Sequence, residues 1–238
     1  MNFIEQIIDG GIHVTYLPRD QGIAAEQILS GLSGPSRSRL KDLVHPARRE
    51  EFLRARYLVR QALRSDTDPA RDGDDVIIWP AGKRGSVSHT LGHVGIALAD
   101  SKTCASLGFD IEHASRVKPV LREKICTPRE LALVDSGKIQ LVDVFCAKEA
   151  IFKSHFPLGR KRFWFLDAEI VDVQSTPGDA GPVRQNLEIK VLNDTGPRTP
   201  AGSITRVILL DTPLSGCVAA IAALSAVHHG ADSGFKRL

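Results

Sequence analysis

Gly108-Phe109-Asp110-Ile111-Glu112 is the segment of this 238-residue sequence with the clearest capacity for chemistry. Side chains alternate along a strand, so Leu107, Phe109 and Ile111 face one way while Asp110 and Glu112 face the other. Two carboxylates on one face of an apolar strand repel each other and require a cation between them. A third carboxylate, Glu149, lies in Phe145-Cys146-Ala147-Lys148-Glu149-Ala150-Ile151-Phe152-Lys153, where Val144, Ala147 and Ile151 form one helix stripe. Glu149 and Lys153 are four apart and share a face in the favourable acidic-before-basic order. Three oxygen donors without a neighbouring histidine or cysteine describe a hard-cation site, which suits Mg²⁺ holding waters and phosphates better than zinc. Each piece has an ordinary alternative. Asp-x-Glu on a strand is commonly a solvated face, and an i,i+4 Glu–Lys pair is commonly surface decoration worth about 0.3–0.5 kcal/mol.

Basic and hydroxyl groups suited to phosphate precede the carboxylates. Gly85-Ser86-Val87-Ser88-His89 puts small residues, a hydroxyl and an imidazole at the end of a strand, where Ser88 and His89 can donate to an anion. His89 reads equally as a satisfied core histidine. Arg48, Arg49, Arg54, Arg56 and Arg60 crowd one helix, and Arg48 and Arg56, two turns apart, share roughly one face. The planar guanidinium fork suits phosphate, while the alternative is a solvated basic face. Few aromatics interleave, and Glu50 and Glu51 interrupt the run, which speaks against nucleic acid. Arg71, Lys83 and Arg84 add charge on the approach to His89.

The elements that must position these groups follow from periodicity. A strand is expected over 11–17, then a polar, Ser-rich stretch, then a helix over 46–64 with Pro46 in its first turn. Val76-Ile77-Ile78-Trp79 reads as a buried edge, and strands follow over 85–89, 94–99 and 105–112. The polar stretch 113–118 divides residues 1–115, carrying the phosphate contacts and the Asp/Glu strand, from residues 116–238, carrying the Lys-Glu helix and a β-meander. Helices are expected over 120–124, 128–134 and 140–154, and meander strands over 165–173, 187–192, 204–210 and 216–224. The Pro/Gly-rich stretches 176–182 and 195–202 read as mobile loops. The class is α+β, in two halves that each place antiparallel strands beside helices.

Composition agrees with a soluble globular protein: 42% apolar and 25% charged residues, with a net charge of +3 that is too weak to argue for nucleic acid. The N-terminus has no signal-peptide pattern, and no apolar run reaches the ~18 residues of a membrane span. Cys104, Cys126, Cys146 and Cys217 show no C-x-x-C spacing and read as buried free thiols in a reducing, cytoplasmic setting.

In this order, 79–82, 85–89, 108–112, 145–153 and the Arg48–Arg56 run resemble the Sfp-type 4′-phosphopantetheinyl transferases, in particular the siderophore branch of the enterobactin synthase component D kind. Phe145 and Cys146 stand where that family often has Trp and Ser. The resemblance implies pseudo-twofold α+β halves with coenzyme A in the cleft between them. Asp110, Glu112 and Glu149 would hold Mg²⁺; Ser88 and His89 would contact coenzyme A phosphates, with Arg48, Arg56 and Arg71 around the 3′-phosphate; Lys148 and Lys153 would line the pyrophosphate. The implied reaction moves 4′-phosphopantetheine onto a serine of an apo acyl, peptidyl or aryl carrier protein, with Glu149 as base and Lys153 at the leaving group, in a monomeric enzyme. The rival readings are a Mg²⁺-dependent phosphohydrolase and a nucleic-acid-binding module using the 48–60 helix.

Overall fold

A computed structural model describes residues 3–8, 10–176 and 181–226. The chain opens with a hairpin, β1 (Ile4–Ile8) and β2 (Ile12–Leu17), followed by helices α1 (Ala25–Ser30), α2 (Gly34–Asp42) and α3 (Pro46–Leu63). Strands β3 (Lys83–Thr90), β4 (His93–Asp100) and β5 (Cys104–His113) come next. Helices α4 (Arg122–Ile125), α5 (Pro128–Asp135) and α6 (Leu141–Gly159) lead into strands β6 (Ala168–Ser175), β7 (Val183–Val191), β8 (Ile204–Asp211) and β9 (Cys217–Ser225). The strands form two antiparallel sheets, ordered β1-β2-β4-β3 and β5-β9-β8-β7-β6. This is the expected α+β class, with helices packed on both sheets.

Apolar alternation determines which faces meet. Leu107, Phe109 and Ile111 of β5 join Val14 and Tyr16 of β2 and Ala219 and Ile221 of β9 in a core shared by the two sheets. α3 buries Leu58 and Val59 against Val94 and Ile96 of β4. α6 buries Val144, Ala147 and Ile151 with Ala220 and Ala222 of β9. β5 is hydrogen-bonded to β9, yet its other flank lies along β3, where Ser86 Oγ donates to Phe109 O at 3.4 Å. The seam between the sheets therefore runs between β3 and β5.

Several local expectations are corrected. The Ser-rich stretch contains α1 and α2, whose faces are too polar to reveal a helix; only Ile28, Ser36 and Leu40 are buried. β1 precedes the first expected strand, over 11–17, and forms a hairpin with it. Residues 76–79 form no buried edge: Ile77 makes a single bridge to Arg71, and Ile78 is 55% exposed. Trp79 instead lies on Gly85, where an added Cβ would stand 2.8 Å from its ring. The 195–202 stretch is packed rather than loose, with Thr195 and Thr199 buried and Thr195 Oγ1 donating to Thr199 O at 2.8 Å. Of the 176–182 stretch, 177–180 lie outside the described residues. All four cysteines are buried and free. Among the described residues, no helix is long and apolar enough to cross a membrane.

Candidate active site

α3, β3, β5 and α6 converge on a cleft of about 570 Å³ that includes Arg48, Arg56, Arg71, Ser88, His89, Asp110, Glu112, Glu149 and Lys153 in its lining. Gly108 brings the carboxylate strand against the Glu149 helix: a Cβ there would lie 1.9 Å from Ala150 O, so the two backbones touch.

Across the seam, β3 offers a hydroxyl ladder to the β5 carboxylates. Ser88 Oγ donates to Asp110 Oδ1 at 2.6 Å, and Thr90 Oγ1 donates to Glu112 Oε2 at 2.8 Å. Lys153 Nζ donates to Asp110 Oδ1 at 2.6 Å and to Ser88 Oγ at 3.0 Å. Lys153 is thus a cation on Asp110 alone, while Glu112 has Arg116 Nε 3.9 Å from its Oε2.

Burial pushes the Glu112 carboxyl up, opposed by Thr90 and reinforced by the Asp110 charge. Burial likewise raises Glu149; Lys153 opposes this, while Asp110 and Glu112 add to it. The three carboxylates thus lie within one another's field. Burial works against the Lys153 ammonium, but Asp110 and Glu149 together outweigh it and hold its pKa above the ordinary value. Among the described residues, no three His, Cys, Asp or Glu side chains close into a finished metal shell. The donor set nevertheless fits a hard cation. It is all oxygen, and Asp110 Oδ2 is buried with no hydrogen-bond partner.

The basic side of the cleft is selective. Arg49 donates to Leu40 O and Leu43 O, Arg54 to Gly92 O, Gln21 O and Pro18 O, and Arg60 to Gln27 O. These three arginines tie α3 to neighbouring chain, which leaves Arg48 and Arg56 for the cleft. Arg56 is 2% exposed and faces Asp68 at 3.8 Å, with Nε and Nη1 lacking hydrogen-bond partners. Burial, followed by repulsion from Arg71, lowers its pKa to about 10. Arg71 also keeps a buried, unpartnered Nε. Two such guanidiniums side by side have the charge and the donor geometry to take up an anion. Lys83 and Arg84 do not line this cleft; Arg84 donates to Ala105 O and Lys83 O. His89 is no core histidine: its side chain is 45% exposed and its Nδ1 lies 3.4 Å from Glu51 Oε2.

Lys148 stands apart from the cleft. Its ammonium is buried and donates to Glu130 Oε2 at 2.6 Å and to Ile125 O and Phe165 O, each at 2.8 Å. A second, smaller pocket, of about 150 Å³, is lined by Lys148, Glu149, Phe152, Arg162, Phe163, Trp164 and Phe165. Glu149 is common to both pockets.

Thr90, Glu51, Arg116 and Glu130 are absent from the sequence-based site. Thr90 had a signal, because Ser86, Ser88 and Thr90 alternate on β3 as Asp110 and Glu112 do on β5. The partnerships of Glu51, Arg116 and Glu130 depend on the folded chain.

Two family models match the chain. The 4′-phosphopantetheinyl transferase superfamily model covers residues 106–197, and the 4′-phosphopantetheinyl transferase N-terminal domain model covers residues 38–99. All ten sequence-selected site residues fall within these two segments. The chain is 30% identical to the 4′-phosphopantetheinyl transferase Npt of Nocardia iowensis over 62% of its own length and 70% of that protein. It is 29% identical to the 4′-phosphopantetheinyl transferase PptT of Mycobacterium tuberculosis, over 63% of this chain and 70% of the relative. A third relative, the 4′-phosphopantetheinyl transferase Svp of Streptomyces mobaraensis, is 31% identical over 52% of this chain and 55% of its own. With the hydroxyl–carboxylate ladder, the two cleft arginines and Lys153 gathered in one place, and with these matches, the chain belongs to the 4′-phosphopantetheinyl transferase family.

Proposed function

We propose that this transferase moves 4′-phosphopantetheine from coenzyme A to a serine of an apo acyl, peptidyl or aryl carrier protein, releasing 3′,5′-adenosine bisphosphate. The observation that carries the reading is the pair of guanidiniums, Arg56 and Arg71, each keeping a buried nitrogen without a hydrogen-bond partner, in the same cleft as Asp110, Glu112, Glu149 and Lys153. Coenzyme A has a highly charged nucleotide half and an uncharged pantetheine half, joined through the diphosphate. Glu149 stands where a basic cleft meets an aromatic pocket, so the bond to be broken would lie beside it.

Asp110, Glu112 and Glu149 would hold Mg²⁺, which when bound supplies charge neutralisation and polarisation of phosphoryl oxygens. Arg48, Arg56 and Arg71 receive the 3′-phosphate, and Ser88, His89 and Lys153 face the diphosphate. Glu149, or a water that it orients, takes the proton of the serine hydroxyl; its raised pKa makes it a better base than a solvated glutamate. The serine oxygen forms its bond to the β-phosphorus as the bond from that phosphorus to the bridging oxygen breaks. The electron pair leaves on 3′,5′-adenosine bisphosphate. Lys153 is held protonated by Asp110 and neutralises that charge. Lys148 supports the site from behind, through Glu130 and Phe165.

In this reading residues 1–115 and 116–238 are the two working halves, with β5 of the first paired into the sheet of the second, and the enzyme is a cytoplasmic monomer. The ordered motifs from Arg48 to Lys153 support the Sfp-type, siderophore-serving branch and the holo-[acyl-carrier-protein] synthase activity class. A magnesium-dependent phosphohydrolase would need no second cradle of three arginines. A nucleic-acid module would need the arginines of α3 free, and three of them are bonded to backbone carbonyls.

Incubation with coenzyme A, Mg²⁺ and an apo carrier protein, followed by intact-mass measurement, tests the reading. One phosphopantetheine added to the carrier supports it. Coenzyme A consumed with no change in any of several carriers overturns it.

A further inference from the structure

Residues 70–78 fold back on themselves between α3 and β3. Ile78 N donates to Ala70 O at 2.9 Å, Arg71 and Ile77 form an antiparallel bridge, and Asp72 N donates to Val76 O at 2.9 Å. Asp72 organises the tip, its Oδ1 accepting from Asp74 N and Val76 N at 3.0 Å each. The other oxygen, Oδ2, accepts from Arg160 Nη2 at 2.6 Å, and Arg160 Nη1 reaches Asp74 Oδ2 at 3.1 Å. Arg160 is the first residue beyond α6, in a left-handed conformation with φ of 55°, on the element that carries Glu149 and Lys153. One side chain thus spans from the Glu149 helix to the loop that delivers Arg71.

Arg71 is the cargo of this loop. Its Nη1 is tied to Asp75 O at 2.5 Å and faces Asp75 Oδ2 at 3.3 Å, leaving its buried Nε without a partner. Arg71 bears on Arg56 with like charge, offset in part by Asp68 and by Asp75 of the loop. The loop itself is held by Arg160, which is bonded to it at two carboxylates. Asp72 is already fixed by two backbone donors, so the entropy lost in forming the clamp falls mainly on Arg160.

We propose that Arg160 is a positioning residue: by gripping Asp72 and Asp74 it holds Arg71 in place for the 3′-phosphate of coenzyme A. It governs affinity for that phosphate and leaves the transfer step alone. This rests on the reading of the cleft as the coenzyme site. Exposed ion pairs are individually weak, so the effect is modest, and the two contacts together set its size. The lowered pKa of Asp72, due first to its hydrogen bond from Arg160, and the raised pKa of Arg160, due first to Asp72, agree with a formed clamp.

The test compares two ligand pairs in wild-type protein, Arg160→Met and Arg160→Lys. Binding of 3′,5′-adenosine bisphosphate and of adenosine 5′-monophosphate is measured by calorimetry, and KM and kcat with coenzyme A and with 3′-dephospho-coenzyme A on an apo carrier. Arg160→Met is expected to weaken 3′,5′-adenosine bisphosphate and raise KM for coenzyme A roughly 3- to 10-fold. It should leave kcat within twofold and change nothing for the two ligands lacking the 3′-phosphate. Arg160→Lys should recover most of the loss. Asp72→Asn retains the Oδ1 acceptor of the loop and should reproduce the Arg160→Met pattern, which separates the clamp from a folding defect. Equal penalties with and without the 3′-phosphate, no penalty, or a loss confined to kcat would overturn the clamp alone. Wild-type protein that binds none of the four ligands would overturn the coenzyme reading and the clamp together.

Discussion

Lys153 Nζ stands 2.6 Å from Asp110 Oδ1, on an oxygen that Ser88 also donates to, so one carboxylate oxygen of the site is already committed to a cation of the protein itself. The other oxygen, Oδ2, is buried and unpartnered. The division of labour within Asp110 shapes what substitutions around it should do.

Replacing Lys153 with Met removes the ammonium that competes for Asp110. The Mg²⁺ concentration needed for half-maximal activity should fall, while kcat drops by roughly 10²-fold or more through loss of a charge that stabilises the leaving group. A magnesium titration of turnover reads both numbers. If the half-maximal Mg²⁺ concentration stays the same or rises, Lys153 is not the competitor.

Glu149→Gln keeps shape and removes the base. Turnover should fall roughly 10²- to 10⁴-fold with Tm nearly unchanged. In the wild-type enzyme kcat/KM should decline toward acid as this carboxyl protonates, because only its deprotonated form accepts the serine proton. Rate profiles with pH, with and without the substitution, check both expectations.

Glu130 is fully buried and accepts from Lys148 Nζ, from Thr127 N at 2.7 Å and from Ile170 N at 2.9 Å. Glu130→Ala leaves the Lys148 ammonium buried without its counter-ion and should cost about 3–5 kcal/mol in denaturant unfolding. The double variant Glu130→Gln with Lys148→Met should lose less than Glu130→Ala alone, since no lone charge remains. Additive losses would mean that the pair is not coupled.

His155 is fully buried beside Ile151 O and Ser154 Oγ, each 3.0 Å from Nδ1, and burial lowers its pKa to about 4. The unfolded chain takes up this proton near pH 6.5, and the folded one does not until about pH 4. Stability from this group is therefore complete above pH 6.5 and is lost as pH falls through that window, by about 3 kcal/mol at most. An NMR titration of the imidazole should give a midpoint near the lower figure. Urea midpoints of His155→Gln should fall less steeply with acid than those of the wild type.

Much of the site was legible because it is local. The alternation of Asp110 and Glu112 and the i,i+4 spacing of Glu149 and Lys153 are properties of a strand and a helix, and both elements form where periodicity puts them. Lys148 carried a readable signal as well. It lies one turn from Val144 and from Ile151, on the apolar stripe, and its ammonium is accordingly buried. The two-turn spacing of Arg48 and Arg56 was enough to put them on the cleft side of α3. What could not be read is where the other arginines go: Arg54 and Arg60 donate to carbonyls more than 30 positions away. The two short helices before α3 were hidden for a similar reason: their polar surfaces are held by contacts such as Ser36 Oγ to Asp68 Oδ2 at 2.5 Å, across 32 positions.

The bare α-carbon of Gly108 has a consequence beyond allowing a close approach. With Ala150 O where a methyl group would be, residue 108 gauges how far the base stands from the acidic pair. Even alanine would wedge strand and helix apart, and the damage would register first as a lost geometry among three carboxylates that individually remain intact.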